Sequence, residues 1–181
     1  MRSRAERVRE TRRRIVEAAV DLHTTVGPAR ASVSAIADRA GVQRHTVYAH
    51  FPDTRSLLRA CSAHWDELHR FPDVARWAAI EDPQRRLRTA LSELYAWYDE
   101  VEQDLALFAR DADALGEVAE ETAAQQRALA ELLARGFPRR KAVRAAVGHA
   151  LAFETWRSLV RGQGLSRTQA VDLMVGLVGS V

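Results

Sequence analysis

The stretch Ser32-Val33-Ser34-Ala35-Ile36-Ala37-Asp38-Arg39-Ala40-Gly41-Val42-Gln43-Arg44-His45-Thr46-Val47-Tyr48-Ala49-His50-Phe51 decides how the chain is read. Ser32 is placed to cap a short helix through Ala40, and Gly41 supplies the positive-φ residue that ends it. A further short helix, about Gln43 to His50, stops before Pro52. Ile36, Ala37, Ala40, Val42, Val47 and Phe51 fall where they pack into one small core, and the small Ala37 and Ala40 let the two helices approach closely. This is the spacing of a helix-turn-helix, whose first helix braces across the DNA backbone while the second offers polar side chains to base edges. A plain helical hairpin in a bundle has the same spacing, so both readings stand on pattern alone.

Outward from this stretch the periodicity is helical and Gly and Pro mark the joints. Ile15, Ala19, Leu22 and Val26 form one apolar face of a helix from about Ala5 to Val26, with Arg7, Arg9, Arg12, Arg13 and Arg14 on its outer face. Asp53 caps a fourth helix with the stripe Leu57, Cys61, Trp65, Leu68, and residues 71–82 read as a connection with at most a turn of helix. Asp82-Pro83 starts the next helix, with Leu87, Leu91, Leu94, Tyr98 and Val101 in register. A segment through Leu105 and Phe108 leads to a helix from about Leu115 to Arg135. Gly136-Phe137-Pro138 precedes a helix from about Arg139 to Arg161, and Ser166 with Gln169 opens the last at capping-box spacing. No sustained apolar/polar alternation and no Asn-Gly or Asp-Gly turn occurs. The expectation is an all-α fold of about nine helices. A helix-turn-helix domain over 1–52 joins, through the fourth helix, a helical regulatory and dimerisation domain over 53–181.

Composition narrows the function classes. In 181 residues, 47% hydrophobic and 28% charged, there is enough apolar material for packed cores. The net charge of +3 is unevenly placed, because residues 1–60 hold twelve Lys/Arg against six Asp/Glu while 61–181 hold fifteen against eighteen. A basic first third is the footprint of a polyanion partner, or else a solvated charged helix. The single Cys61 leaves no internal disulfide and no Cys-based zinc site. A charged start and no long apolar run lead us to expect neither export nor membrane insertion, hence a cytoplasmic protein.

Residues from about Thr11 to Leu58 closely resemble the DNA-binding domain of the tetracycline-repressor (TetR/AcrR) family. The likeness lies in Ile36-Ala37, Ala40-Gly41-Val42 and Thr46-Val47-Tyr48 followed by His50-Phe51. Chain length and helix count fit that family, and Phe153 to Leu159 followed by Gly164-Leu165-Ser166 looks like the closing helices of some members. The resemblance implies that the third helix reads an operator in double-stranded DNA. Gln43, Arg44, His45 and Thr46 would then face base edges or nearby phosphates, and Tyr48 and His50 chiefly the backbone, with a core position for Tyr48 as the alternative. Arg44 is the foremost candidate for readout, since a guanidinium pairs bidentately with guanine. Ser32 and Ser34 are placed to donate to phosphates near a helix start. Two positions depart from the family: Gln43 stands where Ser or Thr often caps the third helix, and Thr54 stands where a phosphate-binding Lys often opens the fourth. Thr54 itself or Arg55 is the expected substitute. The arginine-rich arm, Arg2, Arg4, Arg7, Arg9, Arg12, Arg13 and Arg14, is placed to touch backbone or minor groove, in part disordered or solvated.

From Thr168 to Val178 only Asp172 is charged, and a helix apolar nearly all round must be buried on more than one side. The preceding helix carries Ala142, Ala145, Ala146, Gly148, Ala150 and Ala152, which permit close approach. Both features suit a two-fold homodimer through the last two helices, as the resemblance also implies, with a monomeric core as the other reading. A dimer would select a near-palindromic operator. For an unidentified small-molecule effector, the candidate lining is Trp97, Tyr98, Phe108, Thr122, Gln125, His149 and Phe153, residues equally suited to plain core. No cofactor or metal is implied. His64 and His69 lie five apart, off a common helix face, and no nucleotide loop or nucleophile elbow occurs, so an enzyme is not expected. A ligand-released repressor is the reading preferred over an architectural DNA-binding protein that discriminates little between sequences.

Overall fold

A computed structural model describes residues 3–181. Among these there is no strand, and the helices are α1 Arg4–Thr25, α2 Val33–Ala40, α3 Arg44–His50, α4 Thr54–Leu68, α5 Val74–Ala78, α6 Pro83–Arg110, α7 Ala112–Leu115, α8 Glu117–Leu133, α9 Lys141–Leu151, α10 Phe153–Arg157 and α11 Arg167–Ser180. A 3₁₀ turn at Pro28–Arg30 follows α1, and a π turn at Ser158–Gly162 follows α10. No helix of the described residues is long and apolar enough to cross a membrane. The excess over nine has local causes. The connection folds into α5, α7 is a single turn, and the helix expected over 139–161 divides at Ala152. In the other direction, the segment of Leu105 and Phe108 continues α6 across a non-helical residue, Val101.

The chain forms two compact units, one of residues up to Arg70 together with Gln103–Glu120, the other of Phe71–Glu102 with Glu121–Val181. In the first, α1 packs on α2 and α4, and α2 on α3. Its core holds Ile15, Ala19, Ile36, Ala37, Ala40, Val47, Phe51, Leu57, Cys61 and Trp65, all buried. Val42 is only half-buried, and Leu68, expected in the α4 stripe, is 59% exposed because α4 ends there. Burial pushes the Cys61 thiol up to about 12, which leaves it an unreactive core residue.

The second unit is built on the α6 seam. Leu87, Leu91, Leu94, Tyr98 and Val101 are buried as their spacing predicts. Two α6 hydroxyls explain why α9 stops. Ala152 is extended (φ −70°, ψ 135°), which orphans carbonyls at the end of α9. Tyr95 Oη donates to the Ala150 carbonyl at 2.9 Å and Tyr98 Oη to that of Leu151 at 2.6 Å. Trp77 of α5 is fully buried and its Nε1 donates to Glu93 Oε2 at 2.8 Å. Arg86, also buried, ties the α5–α6 turn to the end of α8 through the carbonyls of Ile80 and Arg135.

Two outcomes follow from these contacts. Tyr95→Phe and Tyr98→Phe each leave a buried carbonyl short of a donor and should each lower stability by about 1–3 kcal/mol in urea unfolding followed by circular dichroism. His23, buried near the end of α1, has its pKa lowered by desolvation. The unfolded chain therefore takes up the proton more readily, and stability should fall as pH drops through the unfolded value near ~6.5. His23→Leu should flatten that part of the stability profile.

Candidate nucleic-acid interface

The helix-turn-helix is assembled by local chemistry. Ser32 accepts from Ala35 N at 3.1 Å and caps α2, which leaves its hydroxyl hydrogen free to donate. Gly41 takes a left-handed conformation (φ 64°, ψ 42°), and Val42 N reaches back to the Ala37 carbonyl at 3.0 Å. Arg14 of α1 lays its guanidinium on the carbonyls of Ala40 at 2.7 Å and Gly41 at 3.2 Å. A cation at the negative end of α2 both fills orphan acceptors and complements the helix dipole. In α3, Val47 and Phe51 point into the core one turn apart. Helical geometry then turns Arg44, His45 and Tyr48 outward, with Thr46 and His50 half-buried on the flank. Gln43 precedes α3 in extended conformation and makes no capping bond with its side chain, so that side chain is spared for other partners.

Of the expected DNA-facing residues, Ser32 is exposed and Ser34 half-buried at the start of α2, and Arg44, His45 and Tyr48 are exposed on α3, which packs on α2. Tyr48 is 46% exposed and is not a core residue. Thr54 is exposed in the first turn of α4, whereas Arg55 is ion-paired with Glu117 of α8, whose carboxylate also lies 4.0 Å from Arg59.

The arginine-rich stretch is helical, as its periodicity predicts from about Ala5, and Arg4, Arg7 and Arg9 are exposed. Arg2 lies outside the described residues. From Arg4 onward the chain is helical, held by a capping box in which Glu6 N donates to Ser3 Oγ at 3.1 Å and Ser3 N to Glu6 Oε2 at 2.6 Å. The Ser3-x-x-Glu6 spacing is the sequence signal for that start. Arg12 stacks on the Phe51 ring at 4.5 Å, Arg13 pairs with Glu10 and Glu17, and Arg14 is taken up as described. Arg9, Arg12 and Arg13 also line a groove between α1 and α4, opposite Ala60, Ala63 and His64.

The candidate effector residues are dispersed. Phe108 belongs to the first unit and meets Trp65 edge-on at 5.5 Å. In the second unit Tyr98 and Phe153 are buried and in contact, centroids 5.5 Å apart, and Trp97 is half-buried against Tyr98. Thr122, Gln125 and His149 are exposed, and His149 lies 3.2 Å from the hydroxyl of buried Thr155. Trp156 is fully buried against Tyr98 and Phe153, and its Nε1 has no hydrogen-bond partner. Among the described residues no group of three or more His, Cys, Asp or Glu is placed to hold a metal ion.

Residues 15–61 match the family model for bacterial regulatory proteins of the tetR family, a segment running from α1 into α4. TtgW, an uncharacterized HTH-type transcriptional regulator of Pseudomonas putida, is 36% identical over 85 residues, 44% of this chain and 63% of that protein. The chain thus spans less than two thirds of that relative's length. A TetR-like transcriptional regulator from Rhodococcus sp. RHA1 shares the fold with a TM-score of 0.63 at 22% identity, over 98% of this chain and 96% of that one. NalD, the secondary repressor of the MexAB-OprM multidrug efflux pump in Pseudomonas aeruginosa, gives a TM-score of 0.64 at 20% identity, over 95% and 96%. Taken with the capped α2, the left-handed Gly41 and the outward polar face of α3, these likenesses lead to one conclusion: residues 15–61 are similar to the bacterial regulatory proteins of the tetR family, and the chain shares its fold with TetR-like regulators.

Proposed function

We propose that the protein is a sequence-specific DNA-binding transcriptional regulator, a homodimer whose two α3 helices read the halves of a near-palindromic operator, and a repressor released by an apolar small molecule. The observation that carries this is the α3 face, where burial of Val47 and Phe51 turns Arg44, His45 and Tyr48 to solvent in the element that a helix-turn-helix lays in the major groove. Ser32 and Ser34 then meet phosphates at the start of α2, and Thr54 supplies a neutral contact where Arg55 is engaged with Glu117.

Dimerisation is supported by two glycines. Gly148 of α9 and Gly176 of α11 are exposed, interior to their helices, and nothing in the chain comes within 4 Å of where a Cβ would stand. Each costs its helix about 1 kcal/mol relative to Ala. Leu173 and Leu177, 50% and 39% exposed, share the face of Gly176, and Ala145 that of Gly148. Small residues framed by exposed leucines suit a second copy of the same face packed closely on a two-fold axis.

The effector reading rests on Trp156. A buried indole donor without an acceptor, walled by Tyr98 and Phe153, suits an apolar ligand carrying one acceptor group. NalD is described as a repressor tied to a multidrug efflux pump, which is consistent with ligands of that breadth. Release requires the ligand to prefer the DNA-incompetent arrangement, since equal affinity for both states shifts nothing.

The test is selection of bound duplexes from a random pool near physiological salt. A palindromic motif supports the regulator; comparable affinity for all sequences would identify an architectural DNA-binding protein instead. On the selected duplex Arg44→Ala should cost about 1–3 kcal/mol and relax preference at one base pair of each half-site. A Cβ at Gly148 meets nothing within 4 Å and the position is exposed, so Gly148→Leu should fold at least as stably as wild type yet sediment as a monomer. A dimer of undiminished affinity would refute the α9–α11 interface.

A further inference from the structure

Residues 103–120 belong to the same compact unit as the helix-turn-helix, although the intervening residues 71–102 belong to the other. At the corner between α6 and α7, Arg110 and Asp111 form a fork. Arg110 Nε donates to Asp111 Oδ1 at 2.7 Å and Nη2 to Oδ2 at 2.9 Å. The tips of the fork meet the backbone between α1 and α2. Arg110 Nη2 donates to the carbonyl of Val26, the C-cap of α1, at 2.8 Å, and Ala29 N donates to Asp111 Oδ2 at 3.1 Å. Between these contacts sits Gly27 at φ 95°, where a Cβ would fall 2.1 Å from Arg110 Nη2 and 2.3 Å from Asp111 Oδ2. The glycine is therefore required twice, by its own backbone and by the fork pressed against it.

The Asp111 side chain is 8% exposed, and its carboxyl is held down to about 2, first by the bond from Arg110, against the opposing effect of burial, with help from Ala29 N–H. It remains an ionised acceptor at any pH at which DNA binding is measured. From this anchor the turn is bonded onward, Arg30 N to the Gly27 carbonyl at 3.1 Å, Ala31 N to that of Pro28 at 3.3 Å and Ser32 N to that of Arg30 at 3.0 Å. Ser32 is the cap of α2. The fork is thus connected by a continuous run of backbone bonds to the first residue of the DNA-facing surface.

We propose that Arg110 and Asp111 are positioning residues for DNA recognition, fixing the turn from Val26 to Ser32 and through it the orientation in which α2 and α3 meet the duplex. This rests on the DNA-binding reading above. The role needs no contact with DNA: the Asp111 carboxylate is held by Arg110 and by Ala29 N–H, and Arg110 spends Nε and Nη2 on Asp111 and the Val26 carbonyl. The sign of the effect separates this role from simple electrostatics. Removing the Asp111 carboxylate makes the unit more basic, which alone would tighten binding to any duplex. Loss of positioning weakens binding to the preferred one.

The experiment compares affinities of the full chain for the selected duplex and for a random duplex. Asp111→Ala should weaken the first by about tenfold or more, the scale of losing a buried hydrogen-bonded anchor, and leave the second unchanged or slightly tighter. Asp111→Asn keeps a carbonyl oxygen for Ala29 N–H and should recover much of the preference. Partial unfolding would lower both affinities together, so an unchanged ratio between duplexes overturns the proposal, as does an Asp111→Asn protein no better than Asp111→Ala. Hydrogen exchange without DNA gives a second reading, in which the amides from Ala29 to Ser32 should exchange faster in Asp111→Ala. Were wild type to prefer no duplex at all, the regulator reading would fall, and unaltered protection of those amides would separately overturn the clamp.

Discussion

The presentation of α3 depends on one crossing, the Arg14 guanidinium of α1 resting on the carbonyls that end α2. A three-helix unit of this size has a small core, so the angle between α2 and α3 is set less by volume than by how the turn between them is closed. Gly41 gives the turn its hand, and Arg14 holds the two carbonyls that would otherwise face solvent and fray. Arg12, two residues before, stacks on Phe51 at the far end of α3. Two neighbouring arginines of α1 therefore grip the helix-turn-helix at its middle and at its end. Their role in the unit is architectural, and the same architecture turns Arg44, His45 and Tyr48 outward.

This is also where reading from sequence runs short. Charge in the first third marks a basic stretch of sequence, but charge cannot say which cations are spent internally. Arg12, Arg13 and Arg14 are, and the helical start at Arg4 follows from Ser3 and Glu6. Elements governed by periodicity were legible. The α6 seam and the inward Val47 and Phe51 are buried as spaced, and they alone give α3 its outward face. Elements governed by distant partners were not. Nothing in the residues around Ala152 breaks a helix; the break is held by Tyr95 and Tyr98, more than fifty residues away. Five-residue α5 is too short to show a period, so the sequence indicates no more than a turn of helix there and does not mark Trp77 as buried. On α8 the alanines blur the contrast between faces, and Thr122 and Gln125 lie exposed while Val118, Leu129 and Leu132 are half-buried.

The glycines sharpen the distinction between what a chain needs for itself and what it needs for others. Gly27, Gly41 and Gly136 have positive φ, and at Gly27 and Gly136 a Cβ would also collide, in the latter case with Pro83 at 2.5 Å. Each is explained inside the chain. Gly148 and Gly176 are not: they sit within α9 and α11 at ordinary helical angles, facing open space, where alanine would serve the isolated helix better. A residue that weakens its own helix and relieves no internal crowding is accounted for by something that packs against that face from outside. The same face carries exposed leucines, so the outside object is apolar and close-fitting. On the proposed reading, in which a short helix reads a duplex, that object is a second copy of the chain, since doubling the number of recognition helices would double the bases read without enlarging the unit that reads them.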